Sequence, residues 1–144
     1  MRLMIADFEG RWQVRRMIDD HLAGQSGEFT GTAMLSSRGN GLWDWSESGV
    51  IALGGGKPMS AARRYLWRAE GDRIAVLFDD GRPFHDFAPV GAPEAAHWCA
   101  PDDYRVRYDF SRWPDWQVEW VVKGPRKDYR MFSHHARAAK DHAS

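Results

Sequence analysis

Hydrophobic and polar residues alternate along most of this chain with a period of two. From Gly10, residues Trp12, Val14, Arg16 and Ile18 fall on one face, and Arg11, Gln13, Arg15 and Met17 on the other. That is the pattern of a half-buried strand and not of a helix, whose apolar positions recur every three or four residues. A second strand is predicted over Glu28–Leu35, with Phe29, Gly31, Ala33 and Leu35 on one face. Small residues there suit a tightly curved wall. The turn signal Ser36–Gly41 leads into Leu42–Leu53, where Trp43, Trp45, Glu47 and Gly49 share a face. Ser60–Glu70 places Ala61, Arg63, Tyr65 and Trp67 together, and Gly71-Asp72 turns the chain into Arg73–Asp79. Asp80-Gly81 reads as a hairpin turn before a short strand, Arg82–Phe87.

Further along, Pro89–Ala96 reads as a loop with room for a helical turn. His97–Cys99 and Asp102–Phe110 form the next strands, interrupted at Pro101, and Trp116, Val118, Trp120 and Val122 alternate after the turn at Trp113-Pro114-Asp115. Gly124-Pro125 leads into a last strand, Lys127–Ser133, and the polar stretch from His134 to Ser144 reads as a fraying tail. About ten short strands separated by turns, with no helical pattern, predict an all-β fold. We expect one domain over residues 1–144: a single closed, antiparallel, up-and-down β-barrel of about 8–10 strands.

Composition narrows the partners. Eight Trp, seven Phe and four Tyr suit strands and the walls of ligand cavities. With 20 basic and 20 acidic residues the formal net charge is zero, which argues against nucleic acid or an anionic membrane as partner. No window approaches the ~20 apolar residues of a membrane-crossing helix. Cys99 is the sole cysteine, so no internal disulfide forms, and a reducing, cytoplasmic setting is the expectation. Gly54–Pro58 contains a Gly-Lys pair, but neither the earlier glycine nor the following Ser or Thr of a phosphate loop is present.

Gly10-Arg11-Trp12 on the first strand resembles the G-x-W opening of the calycin superfamily, which includes lipocalins and fatty-acid-binding proteins. The resemblance implies that Trp12 packs across one end of the barrel under a basic side chain from the last strand, Arg130 or Arg137. From Phe8 to about Arg137 the chain also resembles a family of small bacterial proteins of unknown function. The matching pieces are F-x-G-x-W at Phe8–Trp12, E-x-G at Glu47–Gly49, R-x-Y-x-W at Arg63–Trp67, D-G-R-x-F-H at Asp80–His85, H-x-C-x-x-D-x-Y at His97–Tyr104 and G-P-x-K at Gly124–Lys127. This second resemblance implies a fold and no established activity.

Candidate chemistry follows from parity. If Trp12 faces inward, Arg16 does too, because residues four apart on a strand share a face. Glu47 accompanies Trp45, Arg63 accompanies Tyr65 and Trp67, and Asp102 accompanies Tyr104 and Tyr108. Charges on an aromatic face need partners, since an unpaired buried charge is costly. They serve either a bound ligand or an internal ion-pair network, unless the face is an outer one on which aromatics cover polar stems. The expected ligand-binding residues are Arg16, Glu47, Arg63, Tyr65, His85, His97, Tyr104 and Trp120, holding a small anionic or polar-aromatic molecule in the barrel. Weaker catalytic candidates are His85, His97 and Tyr104, as acid–base groups of a lyase or isomerase. His97 and Cys99 share a face, and Asp102 or His85 could join them around zinc, while His85 or His97 could hold a haem; nothing in the spacing selects either, and no cofactor or metal is expected. A third alternative is a structural or partner-binding barrel filled by its own side chains. Monomer and homodimer are both compatible.

Overall fold

The computed structural model describes residues 1–138. Ten strands follow a 3-10 turn at Ile5–Phe8: β1 Gly10–Asp20, β2 Gln25–Gly39, β3 Leu42–Leu53, β4 Met59–Glu70, β5 Arg73–Phe78, β6 Pro83–Phe87, β7 Glu94–Cys99, β8 Asp102–Asp109, β9 Trp116–Gly124 and β10 Lys127–Arg137. They form one antiparallel sheet in the order β6-β5-β4-β3-β2-β1-β10-β9-β8-β7. Pairing of β1 with β10 joins the first and last strands, so the up-and-down sheet curls into a barrel. Only β6 and β7, its two edges, meet without ladder hydrogen bonds. Side chains bridge that seam: the Phe84 ring stands edge-on to His97 with centroids 5.3 Å apart.

Inward parity holds on every strand that carries the site. Trp12, Val14 and Arg16 are buried on β1, Trp45 and Glu47 on β3, and Val106 and Tyr108 on β8. Tight curvature needs small residues at one point of the wall. Gly31 of β2 lies directly opposite Gly49 of β3. A Cβ on Gly31 would sit 2.2 Å from the Ser48 carbonyl oxygen, and one on Gly49 2.2 Å from that of Thr30. No side chain fits there.

Three strands run well past the sequence reading. β2 is longer at both ends than Glu28–Leu35, because polar residues on its outer face and ends pair with β1 and β3. The loop before β7 ends at Pro93 without a helical turn, since Glu94–Ala96 pair with Arg105–Arg107 of β8. The last strand does not fray at His134: His134–Arg137 pair with Trp12–Arg15, and Ser133 and His135 are buried. Residues 139–144 of that expected tail lie outside the described residues.

The end of the barrel near Gly10 is plugged. Trp12 is fully buried, and its indole N–H donates to the Phe8 carbonyl at 2.9 Å. The 3-10 turn, which no periodicity announced, drops Phe8 against Trp67, Trp113 and Trp116 at centroid distances of 5.4, 4.9 and 5.4 Å. Of the two basic candidates, Arg137 covers Trp12, its guanidinium carbon 3.9 Å from the ring centroid, while donating to the Glu9 carbonyl at 2.6 Å. Arg130 instead points outward and pairs with Glu119. No helix of the described residues is long and apolar enough to cross a membrane.

Candidate functional site

Three charged side chains meet in the middle of the barrel. β3 and β4 place Glu47 directly opposite Arg63. Arg16 of β1 reaches Glu47 across β2, whose inward residues between them include Gly31 and Ala33. Arg16 makes a two-pronged contact, Nη1 to Oε1 at 3.0 Å and Nη2 to Oε2 at 3.1 Å, and its Nε–H donates to the Ser133 hydroxyl at 2.7 Å. Arg63 donates through Nε to Oε1 at 2.8 Å, and the Trp45 indole N–H to Oε2 at 3.0 Å.

The Glu47 carboxylate thus accepts four hydrogen bonds, two on each oxygen. That exhausts its lone pairs. Burial acts to raise its pKa, but Arg63 and then Arg16 outweigh burial and hold it well below the usual carboxylate range. Burial and the nearby charge of Arg63 lower Arg16; burial also acts to lower Arg63, but Glu47 raises it overall. Two cations face one anion, so the cluster carries one surplus positive charge. Arg63 carries it outward. Its side chain is 27% exposed against 6% for Arg16 and 2% for Glu47, and its Nη groups have no protein hydrogen-bond partner among the described residues. Its guanidinium lies 5.4 Å from the Tyr65 ring centroid and 5.1 Å from that of Trp120.

This charged layer divides the interior. Arg16, Glu47 and Arg63 line both a cavity of about 30 Å³ on the plugged side and one of about 160 Å³ toward the opposite mouth. Ile18, Phe29, Ile51, Ala61 and Met131 give the mouth cavity apolar walls. The inner cavity holds little more than a water. Around it the aromatic core is packed: Trp45 stacks on Trp67 at 5.1 Å, and Trp116 on His135 at 3.8 Å with the rings 5° from parallel.

Of the residues expected to bind ligand, Arg16, Glu47, Arg63, Tyr65, His85 and Trp120 line the inner cavity, and of these Arg16, Glu47 and Arg63 also line the mouth cavity. His97 and Tyr104 line neither cavity; both lie against Phe84, at 5.3 and 5.7 Å. Tyr104 is part of a rim group instead, its hydroxyl 3.3 Å from Lys127 Nζ, which also pairs with Asp102 at 3.2 Å. Asp102 therefore answers a lysine, packed so close over Gly124 that a Cβ there would sit 2.0 Å from Oδ1. Cys99 is exposed, and no three or more His, Cys, Asp or Glu side chains gather as a metal site among the described residues.

Two interior residues, Ser133 and His135, escaped the sequence reading. Their signal was present: Met131, Ser133, His135 and Arg137 continue the inward alternation of β10. Polar identity hid it.

Acid–base capacity is low. His85 is pushed down to about 4, chiefly by burial, and its Nε2 is 2.7 Å from the Tyr108 hydroxyl. Burial raises Tyr108 and pushes His135 down to about 3. At neutral pH both histidines are uncharged and Glu47 has no lone pair to offer. What the site presents is a fixed cation at the base of an apolar mouth.

Comparison with solved structures supports the barrel. An S-type phycobiliprotein lyase from Guillardia theta matches with a TM-score of 0.65 at 11% identity, over 97% of this chain and 96% of that one. A redesigned β-barrel, mFAP1, bound to DFHBI matches with a TM-score of 0.45 at 12% identity, over 90% and 94%. The likeness to the lyase is one of fold. None of the curated proteins compared with the chain matched it. A family model does, over residues 8–137, and the chain belongs to that family, the family of unknown function DUF6314.

Proposed function

We propose that the barrel binds a small organic anion at its mouth, with the anionic group against Arg63 and a short apolar body against Phe29, Ile51 and Met131. The observation that carries this reading is the surplus positive charge. Glu47 is shared by two arginines, and the Nη groups of Arg63 have no protein partner among the described residues. Glu47 divides its charge between Arg63 and Arg16, and a ligand carboxylate would supply the Nη groups of Arg63 with two acceptors in the geometry a guanidinium fork prefers. At about 160 Å³ the cavity is well below the roughly 300–1,000 Å³ of drug-sized sites, so the ligand is small. The fold neighbour named as a phycobiliprotein lyase lends no activity at 11% identity.

A panel of short-chain and aromatic carboxylates, each with its neutral amide, tests the reading by calorimetry and by Trp fluorescence, since Trp120 packs on Arg63. Binding of at least one acid, its amide weaker by tenfold or more, and loss of that binding in Arg63→Met are expected. If no acid binds and the protein isolated from its host carries no small molecule in native mass spectrometry, the proposal fails. That outcome favours a second reading, a structural or partner-binding barrel, which draws on the aromatic filling of the plugged half.

A further inference from the structure

Beneath the charged layer two buried polar atoms lack partners among the described residues: Trp116 Nε1 and His85 Nδ1. Trp116 is 2% exposed and His85 8%. Buried polar groups are almost always hydrogen-bonded, to protein or to ordered water, and two orphans in one small interior call for an occupant. Both residues line the same cavity of about 30 Å³. That volume is about the share of one water in the liquid, above the roughly 10–15 Å³ a buried water needs.

We infer that this cavity is a second binding site, distinct from the mouth, built for one water-sized molecule that accepts from Trp116 Nε1–H and bonds His85 Nδ1. Glu47 is saturated by its donors, so the occupant meets no free carboxylate oxygen. It is a single small molecule and not the tail of a mouth ligand, because the Arg16–Glu47–Arg63 layer lies between the two cavities. Ser133 adds a third partner. Its hydroxyl oxygen accepts from Arg16 Nε and so keeps its own proton to donate, and it lines the same cavity. Three partners are the usual complement of a buried water. His85 uses its two nitrogens differently, Nε2 on Tyr108 and Nδ1 on the occupant, and a water serves Nδ1 in either tautomer. The site stands whether or not the mouth takes an anion.

The test is solution NMR on the intact protein, reading cross-relaxation between the Trp116 indole proton and water, separated from chemical exchange by its sign in the rotating frame. A cross-peak of the long-lived, internal kind is expected, and it should vanish in Val118→Ile, which extends a wall of the cavity without touching either polar atom. Should that variant fail to fold, the wild-type cross-peak decides by itself. A folded wild-type protein with no water cross-peak at Trp116 would mean a dry cavity and overturn the inference.

Discussion

Glu47 sits where four donors converge, and it is the residue on which the interior depends. Its neighbours were visible in the chain as charges sharing faces with tryptophans, but the pairing was not. Parity sends Arg16, Glu47 and Arg63 inward without saying that two of them must share the third. Glu47→Gln leaves Arg16 and Arg63 facing each other with no anion between them. Removing one member of a buried ion pair typically costs about 3–5 kcal/mol. A urea melt of E47Q should show that loss, and an unchanged midpoint would contradict the role assigned to Glu47. Arg137 makes a smaller claim. It is an exposed cation over the Trp12 ring, so Arg137→Ala should lower stability by about 0.5–1 kcal/mol through the lost cation–π contact, plus the packing of its stem. The same melt reads it.

At the scale of strands, alternation was enough to find most elements, because side-chain direction in a strand has a period of two whatever the neighbours are. Boundaries were harder. β10 was expected to end at Ser133, yet His134–Arg137 remain in register with β1, and β2 extends beyond its apolar core. Ladder hydrogen bonds from a partner strand hold polar residues extended, and no local pattern reports a partner. The facing glycines of β2 and β3 are the sharpest element-level constraint. Gly49→Ala would press its methyl group into the Thr30 carbonyl and the Gly31 Cα, at 2.2 and 2.6 Å. Strands must separate to admit it. An overpacking loss of about 1–3 kcal/mol is expected in thermal or urea unfolding. Alanine tolerated there without loss would mean that the close approach is not a constraint.

For the whole molecule, the buried neutral histidines govern the response to acid. His85 at about 4 and His135 at about 3 both lie below the ordinary histidine value near 6.5. The unfolded chain therefore binds protons that the folded barrel excludes. Stability is complete above about pH 6.5 and falls as pH drops toward the folded values, by an amount on the order of a few kcal/mol for the pair. Glu47 adds to the loss once the pH enters the unfolded carboxylate range, since its folded value is depressed as well. Urea midpoints at about pH 7.5 and about pH 5 check the sign: the acidic midpoint should be clearly lower, and equal midpoints would refute the account.

The chain by itself determined the class of fold, the parity of most strands and the charges that enter the barrel, and these follow from local periodicity, which neighbouring residues carry. The plug at Trp12 was implied by the family resemblance of Gly10-Arg11-Trp12. Tertiary structure alone decided that Arg16 and Arg63 share Glu47, that Tyr104 and Asp102 belong to the rim with Lys127, and that His135 lies beneath the charged layer. Those relations join residues as far apart as Arg16 and Ser133, 117 positions along the chain. They exist only once strand order and register bring distant side chains within hydrogen-bond reach, and the closure of β1 on β10 does that here.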